Sequence, residues 1–350
     1  MTVAAAHPAT RRIPVAVLGA TGYTGVELLR LLARHPDVEI ACLSSEQHRG
    51  RRASDVYPFL AGVVDVELAA PGAALAGPAE VVFVALPHGA AASHVRALLD
   101  AGRRVIDLSA DFRLRDPAVY ARWYGEHTAP ELLDQAVYGL VEWRRDAIRG
   151  ARLVANPGCY PTTALLGLLP LARAGLLTEP VVVNAASGTT GAGRSAKVEQ
   201  LFAEVNENFR AYGVGTHRHR PELDQELAWG GATAPCIFTP HLLPVSRGIL
   251  ATMYVRVGGG EPPLGELFSR AYAHEPFIML RGTTPPELRD VRGTNRCAIG
   301  WHWDASTRQA IVMSATDNLG KGAAGQAVQS MNLLLGFPET TGLDAPALVP

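Results

Sequence analysis

A cysteine framed by prolines and a glycine, Asn156-Pro157-Gly158-Cys159-Tyr160-Pro161-Thr162-Thr163, precedes an apolar run that reads as a helix over residues 161–173. Pro161 suits a first helical turn, where its missing N–H costs nothing. Cys159 therefore falls at or just ahead of a helix N-terminus, where unpaired N–H groups and the dipole favour a thiolate and can also hold an oxyanion. A second cluster, His217-Arg218-His219-Arg220-Pro221-Glu222, supplies groups that exchange protons near neutral pH. In an extended chain His217 and His219 share one face. Either can serve as the acid/base, and Glu222 can orient it. Cys42, Cys236 and Cys297 stand alone and read as packing residues, and no ligand spacing completes a metal site.

A third group of residues fits a dinucleotide. Gly19, Thr21, Gly22, Tyr23, Thr24 and Gly25 form a turn between an apolar run and an amphipathic segment. That is the place a phosphate-binding loop requires, with pyrophosphate at the helix N-terminus. An NAD site usually shows an acid about 20 residues on, for the ribose hydroxyls. Here the second strand ends in Ser44-Ser45, followed by Gln47, His48, Arg49, Arg51 and Arg52. Hydroxyls and guanidinium groups suit a 2′-phosphate, so NADP is the expected cofactor, although Glu46 leaves an NAD ribose open. A thiol beside a nicotinamide implies a thioester that exchanges hydride with the cofactor.

These residues need elements to hold them. Ile13–Leu18, the glycine turn, a helix ending at Pro36 and a strand over 38–45 make a parallel βαβ unit. Strands over 79–87 and 104–110, with a helix between, extend it to an α/β domain of about 155 residues, closed by the segment 152–157. Beyond lies an α+β part with strands over 181–187, 235–245 and 248–257, the last two separated by Ser246-Arg247-Gly248. Further strands are expected at 299–304 and 309–317, then a final helix at 322–335. The 350 residues balance 32 basic against 33 acidic side chains, for a net charge of -1, which gives no reason for a nucleic-acid partner. The apolar stretch 153–177 is broken by Asn156, three prolines and Arg173, so no membrane span is expected. Scattered cysteines and a start without a signal-peptide core point to the cytoplasm. Residues 1–14 read as a frayed tail, and 344–350 as a loose one that could cover an interface.

Taken together, GATGYTGVELLRLLARHP, ALPHG, ADFRL, NPGCYPT, SGTTGAGR, HRHRPE, FTPHLLPVSRGI and DNLGKGAAGQAVQSMNLLLG resemble the N-acetyl-gamma-glutamyl-phosphate reductase family from Val15 to Gly336. The resemblance implies an α/β fold: a Rossmann-type dinucleotide-binding domain, residues 1–156 with 319–350, and an α+β catalytic and dimerisation domain of semialdehyde-dehydrogenase type, residues 157–318. It implies NADPH-dependent reduction of a small acyl phosphate, with Cys159 as nucleophile and His219, or His217, as acid/base. A phosphate-bearing substrate needs cations, and Arg113 and then Arg194 are the candidates, with an ion pair to Asp107 or Asp111 the alternative for Arg113. Ser187, Gly188 and Gly191 form a candidate phosphate nest. Pro87 and Asn318 are expected beside the cofactor, with a helix cap the alternative for Asn318. A homodimer or homotetramer is expected. Two other readings compete: a lysine-pathway reductase acting on a carrier-linked aminoadipyl phosphate, and a non-catalytic dinucleotide-binding regulator.

Overall fold

The computed structural model describes residues 12–349, so the tail expected at 1–14 lies almost wholly outside the described residues. The chain builds two seven-stranded sheets. The first holds β1 (Ile13–Leu18), β2 (Val38–Ser44), β3 (Leu68–Ala69), β4 (Val81–Val84), β5 (Arg104–Asp107), β6 (Ala136–Tyr138) and β7 (Leu153–Ala155). Their order is β3-β2-β1-β4-β5-β7-β6, parallel throughout. Helices cover both faces of such a sheet, which is why Val15 to Leu18 and Val81 to Val84 are apolar without alternation and buried.

Strand order reverses between β1 and β4, and a crevice opens at their carboxyl ends. Gly19 turns the chain there with φ +82°, and a Cβ on it would stand 2.4 Å from Ala85 O. A Cβ on Gly25, in the helix Tyr23–Leu32, would stand 2.3 Å from Gly19 O. Both positions therefore require glycine, the first for its backbone as well as for space.

The second sheet contains β8 (Val181–Gly188), β9 (Arg210–Ala211), β10 (Cys236–Leu243), β11 (Ile249–Arg256), β12 (Ile278–Gly282), β13 (Cys297–Asp304) and β14 (Gln309–Thr316). Its order is β12-β13-β14-β11-β8-β10-β9. The strands flanking the Ser246-Arg247-Gly248 turn do not pair with each other, because β8 lies between them, parallel to β10 and antiparallel to β11. One face packs on the helix Cys159–Arg173, from which Ala164, Leu165, Leu168 and Leu169 enter the core with Val183, Met253 and Val312. The apolar stretch that is too broken for a membrane span is thus β7 followed by a core helix. On the other face Ile237 and Tyr254 are exposed.

After β14 the chain returns to the first sheet. The helix Gly325–Leu335 places Ala327, Val328 and Met331 in the core that also contains Val15, Val81 and Ile106. Lys321, just before it, is fully buried and donates to Glu142 Oε1 at 2.5 Å and Gln329 Oε1 at 2.7 Å. The terminal segment is tied down at one point, since Leu348 N donates to Arg292 O at 2.9 Å and the Leu348 side chain packs over Gly293.

Candidate active site

The helix begins at Cys159 itself, with Gly158 as N-cap, two residues before the start read from Pro161. The first helical bond is donated by Thr162 to Gly158 O, at 2.8 Å. The earlier N–H groups therefore remain for other partners. Burial pushes the Cys159 thiol up to about 11, while the Arg113 charge and the backbone N–H of Tyr160 pull the other way. Burial thus favours the thiol over the thiolate expected at the helix start, and a base would be needed to form the latter. Gly322 lies against this residue so closely that a Cβ there would be 2.9 Å from Cys159 Cβ.

A candidate base, His219, packs against the residue before Cys159. His219 Nε2 would stand 2.5 Å from a Cβ on Gly158. The backbone of the residue before the nucleophile thus forms the wall against which the imidazole rests. Burial, then His217 and Arg113, drive the His219 pKa well below its ordinary value. Arg113 Nη1 lies 3.5 Å from the same Nε2. A guanidinium only donates, so this nitrogen is left as an acceptor. Burial favours the neutral form of both the thiol and the imidazole.

The HRHR cluster is not extended, so a shared strand face is not what brings its histidines together. His217 sits in a turn, and His219 is the N-cap of the helix Arg220–Gly230, with Pro221 in its first turn. The two rings nevertheless meet, 4.9 Å between centroids. His217 is boxed by Tyr160, Tyr212 and Phe238, and its Nδ1 accepts the His219 backbone N–H at 3.1 Å. Burial lowers it to about 4. It supports His219 from behind.

Glu222 bonds neither histidine. Its Oε1 accepts the Gly158 N–H and the Tyr138 hydroxyl, each at 2.8 Å, and its Oε2 faces Arg113 Nη1 at 3.6 Å. The carboxylate thus fixes the nucleophile's turn and the arginine rather than an imidazole. Arg113 is anchored through Nε to Asn156 O at 2.8 Å and Nη2 to Leu108 O at 2.9 Å. These bonds replace the direct ion pair with Asp107 or Asp111 weighed as its alternative.

From the glycine turn to Cys159 runs a cleft of about 1110 Å³. Gly19, Thr21, Gly22, Tyr23, Thr24, Gly25, Ser44, Ser45, Pro87, Gly191, Arg194 and Asn318 line it, with Arg113 and His219 at the Cys159 end. Ser44 Oγ accepts the Gly19 N–H at 3.4 Å, and the Ser45 and Thr21 hydroxyls meet at 2.9 Å. Gly22 caps the helix Tyr23–Leu32, and only Gly19 O, at 3.7 Å, would approach a Cβ there, so phosphates can reach the helix N-terminus. These features fit a dinucleotide.

Several expected ligands stand elsewhere. Arg49 is exposed and outside the cleft lining, and Arg51 and Arg52 donate to Asp55 O and Asp65 O. Arg194 reaches across to the dinucleotide side, donating to Thr21 O at 3.1 Å and the Tyr57 hydroxyl at 2.6 Å, rather than lying with the substrate candidates. Ser187 is buried and bonds Gly188 O, and Gly188 packs under the Ser246-Arg247 peptide, where a Cβ would meet Ser246 C at 2.8 Å. Neither lines the cleft, so of the expected nest only Gly191 does. Asn318 does not cap: it accepts Gly248 N–H at 2.8 Å and donates to Thr190 Oγ1 at 2.9 Å. Asp317 holds the Leu319 and Gly320 N–H groups instead.

A parallel sheet with a glycine turn at its switch point, and a thiol with a neutral imidazole at the end of the cleft, define a dinucleotide-linked oxidoreductase of the semialdehyde-dehydrogenase class. The semialdehyde dehydrogenase NAD binding domain matches residues 14–151, and the semialdehyde dehydrogenase dimerisation domain matches residues 159–318. An aspartate semialdehyde dehydrogenase II from Vibrio cholerae, solved in complex with ASA, superposes with a TM-score of 0.71 over 93% of this chain and 99% of that one, at 20% identity. The N-acetyl-gamma-glutamyl-phosphate reductase of Halorhodospira halophila is 52% identical over 97% of this chain and 100% of that protein. That of Geobacter metallireducens is 50% identical over 96% and 99%. The chain belongs to the N-acetyl-gamma-glutamyl-phosphate reductase family.

Proposed function

We propose that this chain reduces N-acetyl-gamma-glutamyl phosphate to N-acetylglutamate 5-semialdehyde and phosphate, a step of arginine biosynthesis, with NADPH as reductant and in the cytoplasm. The observation that carries this reading is Cys159 at a helix start, with His219 packed against the preceding Gly158, at the inner end of the dinucleotide cleft. Cys159 Sγ attacks the acyl carbon as its proton passes to His219 Nε2. The carbon–oxygen bond to the phosphoryl group breaks, and its electron pair leaves with inorganic phosphate. Arg113, held by two carbonyls and lining the pocket, offers positive charge to the departing anion. A reduced nicotinamide bound in the cleft supplies hydride at the thioester carbon. His219 then donates a hydrogen bond from Nε2 to the oxygen of the tetrahedral adduct, and on collapse the proton returns to sulfur. His217 is the weaker candidate for this role because its Nδ1 is engaged by backbone and aromatic rings enclose it.

NADP rather than NAD is favoured by the Ser44 and Ser45 hydroxyls at the end of β2 and by Arg194 on the same cleft, while Glu46, which also lines it, is the group an NAD ribose would use. Residues 1–156 with 319–350 serve the cofactor, and 157–318 serve catalysis and assembly. The open sheet face carrying Ile237 and Tyr254 suits a homodimer or a homotetramer.

The test is phosphate-dependent reduction of NADP with N-acetylglutamate semialdehyde, run beside NAD and beside a Cys159→Ala control. Turnover with NADP that the control lacks is expected. Turnover only with carrier-linked aminoadipate semialdehyde moves the substrate to lysine biosynthesis, and no turnover on either removes the enzymatic reading.

A further inference from the structure

We propose that Arg218 is a specificity-determining residue that holds a carboxylate at the end of the substrate remote from the acyl phosphate. The inference rests on the acyl-phosphate reading above and concerns a side chamber of about 480 Å³. The chamber shares His88, Arg113 and His219 with the cofactor cleft, and continues past them to Tyr124, Thr216 and Arg218. A substrate reacting at Cys159 has this space for its other end.

Charge pairing singles out Arg218 among the arginines of the chamber, since Arg122, likewise without a carboxylate among the described residues, lines only the outer groove. Arg113 faces Glu222 at 3.6 Å, Arg115 and Arg144 share Glu226 at 3.5 and 2.6 Å, and Arg220 pairs with Asp224 at 3.6 Å. Arg218 has neutral partners among the described residues. Its Nη1 lies 2.5 Å from His88 Nε2, and its guanidinium stands 5.3 Å from the Tyr124 ring centroid. The carboxylates of the outer groove beside it are committed elsewhere, Asp116 to the N–H groups of Ala118 and Val119 and Asp224 to Arg220 and Cys236 N.

The neutral clamp keeps the cation in place without cancelling its charge. A guanidinium only donates, so His88 must accept, and burial followed by Arg218 lowers the His88 pKa accordingly. A planar fork of donors held by an imidazole and an aromatic ring is suited to a carboxylate. The N-acylated glutamyl phosphate is anionic at both ends, and the chamber has a cation at each: Arg113 beside the nucleophile and Arg218 at the rim.

The experiment compares N-acetylglutamate semialdehyde with 4-acetamidobutanal, which is the same aldehyde lacking the carboxylate, in the phosphate-dependent oxidation by the full-length enzyme. The wild type is expected to favour the acid by about 30-fold in kcat/KM, mainly through KM. Arg218→Gln is expected to bring that ratio close to one by raising KM for the acid, and Arg218→Lys to restore part of it. A ratio unchanged in Arg218→Gln, or equal losses on both aldehydes, overturns the assignment. Arg218→Lys gives the same reading if the glutamine variant does not fold, since it must weaken the preference without abolishing it. A wild type inactive on the acid sinks the acyl-phosphate reading first, and this assignment with it, a result distinct from an active wild type with an indifferent Arg218.

Discussion

At the residue scale the site is a neutral pair awaiting substrate. Burial dominates both groups, raising the thiol and lowering the imidazole, which disfavours proton transfer between them before substrate arrives. Cys159→Ser is expected to lower turnover by about 10⁴-fold, as loss of a nucleophile does elsewhere, with release of phosphate from the acyl phosphate lost in parallel. Phosphate release at the wild-type rate would remove Cys159 from the mechanism. The pH profile follows from His219. The neutral imidazole is the competent base, and it is lost as pH falls through a pKa below 6.5, so kcat/KM is expected to stay level down through pH 6.5 and decline only below it. A midpoint at or above 6.5 would contradict the burial argument. Stability has the same sign. His217 takes a proton near 6.5 when unfolded but only near 4 when folded, so the unfolded chain binds the extra proton between those values and stability is lost as pH falls from 6.5 toward 4.

At the scale of elements, two backbone devices set the geometry: the start of the helix Cys159–Arg173 and the start of the helix Arg220–Gly230. Glu222, in the second, accepts the N–H of Gly158, the cap of the first. Gly158 in turn leaves the space that His219 fills, and an added Cβ would stand 2.5 Å from Nε2 and 3.0 Å from Arg113 Nη1. Gly158→Ala is therefore expected to displace the imidazole and lower kcat on the order of 10²-fold, the cost of small misplacements at a reacting centre. Unimpaired kcat in a folded Gly158→Ala protein would show that His219 is not held by this wall. The local part of this arrangement was legible in the sequence: a strand, a glycine turn and a helix fall within 20 contiguous residues, and a cysteine before Pro161 marks a helix start. Alternating histidines in the HRHR segment would share one face if extended, a pattern that leaves its conformation open. Pro221 followed by Glu222 was the helix-start signal in the same residues. What the pattern could not show was a partner 64 residues away: Glu222 fixing Gly158. The arginines after β2 were misleading for a related reason, since their backbone acceptors Asp55 and Asp65 are set by how the loop folds.

At the scale of the molecule, the two sheets must hold a fixed angle if the cleft between the glycine turn and Cys159 is to present a nicotinamide to the thiol. The Ser246-Arg247-Gly248 turn, legible only as a break between strands, does this. Arg247 donates to both oxygens of Glu27, on the helix that follows the glycine turn, at 2.8 and 3.0 Å. It also donates to both oxygens of Asp317 at 2.9 to 3.2 Å. Asp317 holds the N–H groups that open the returning segment, and its neighbour Asn318 reaches back to Gly248 and Thr190. One guanidinium therefore joins the cofactor helix, the catalytic sheet and the return to the first domain. Glu27 and Asp317 are almost wholly buried, and removing the shared cation leaves them short of charge, although Glu27 retains Arg30 at 2.6 Å. Arg247→Met is expected to lose about 3 kcal/mol of stability in urea denaturation, the usual cost of breaking a buried pair, and to weaken cofactor binding in a fluorescence titration. Acylation of Cys159, read as phosphate release without cofactor, takes Arg113 from the first domain but needs no bound dinucleotide, so it should decline less than overall turnover. Equal decline of both would show that Arg247 supports the whole fold alike, and unchanged cofactor affinity would show that the angle between the sheets is set elsewhere.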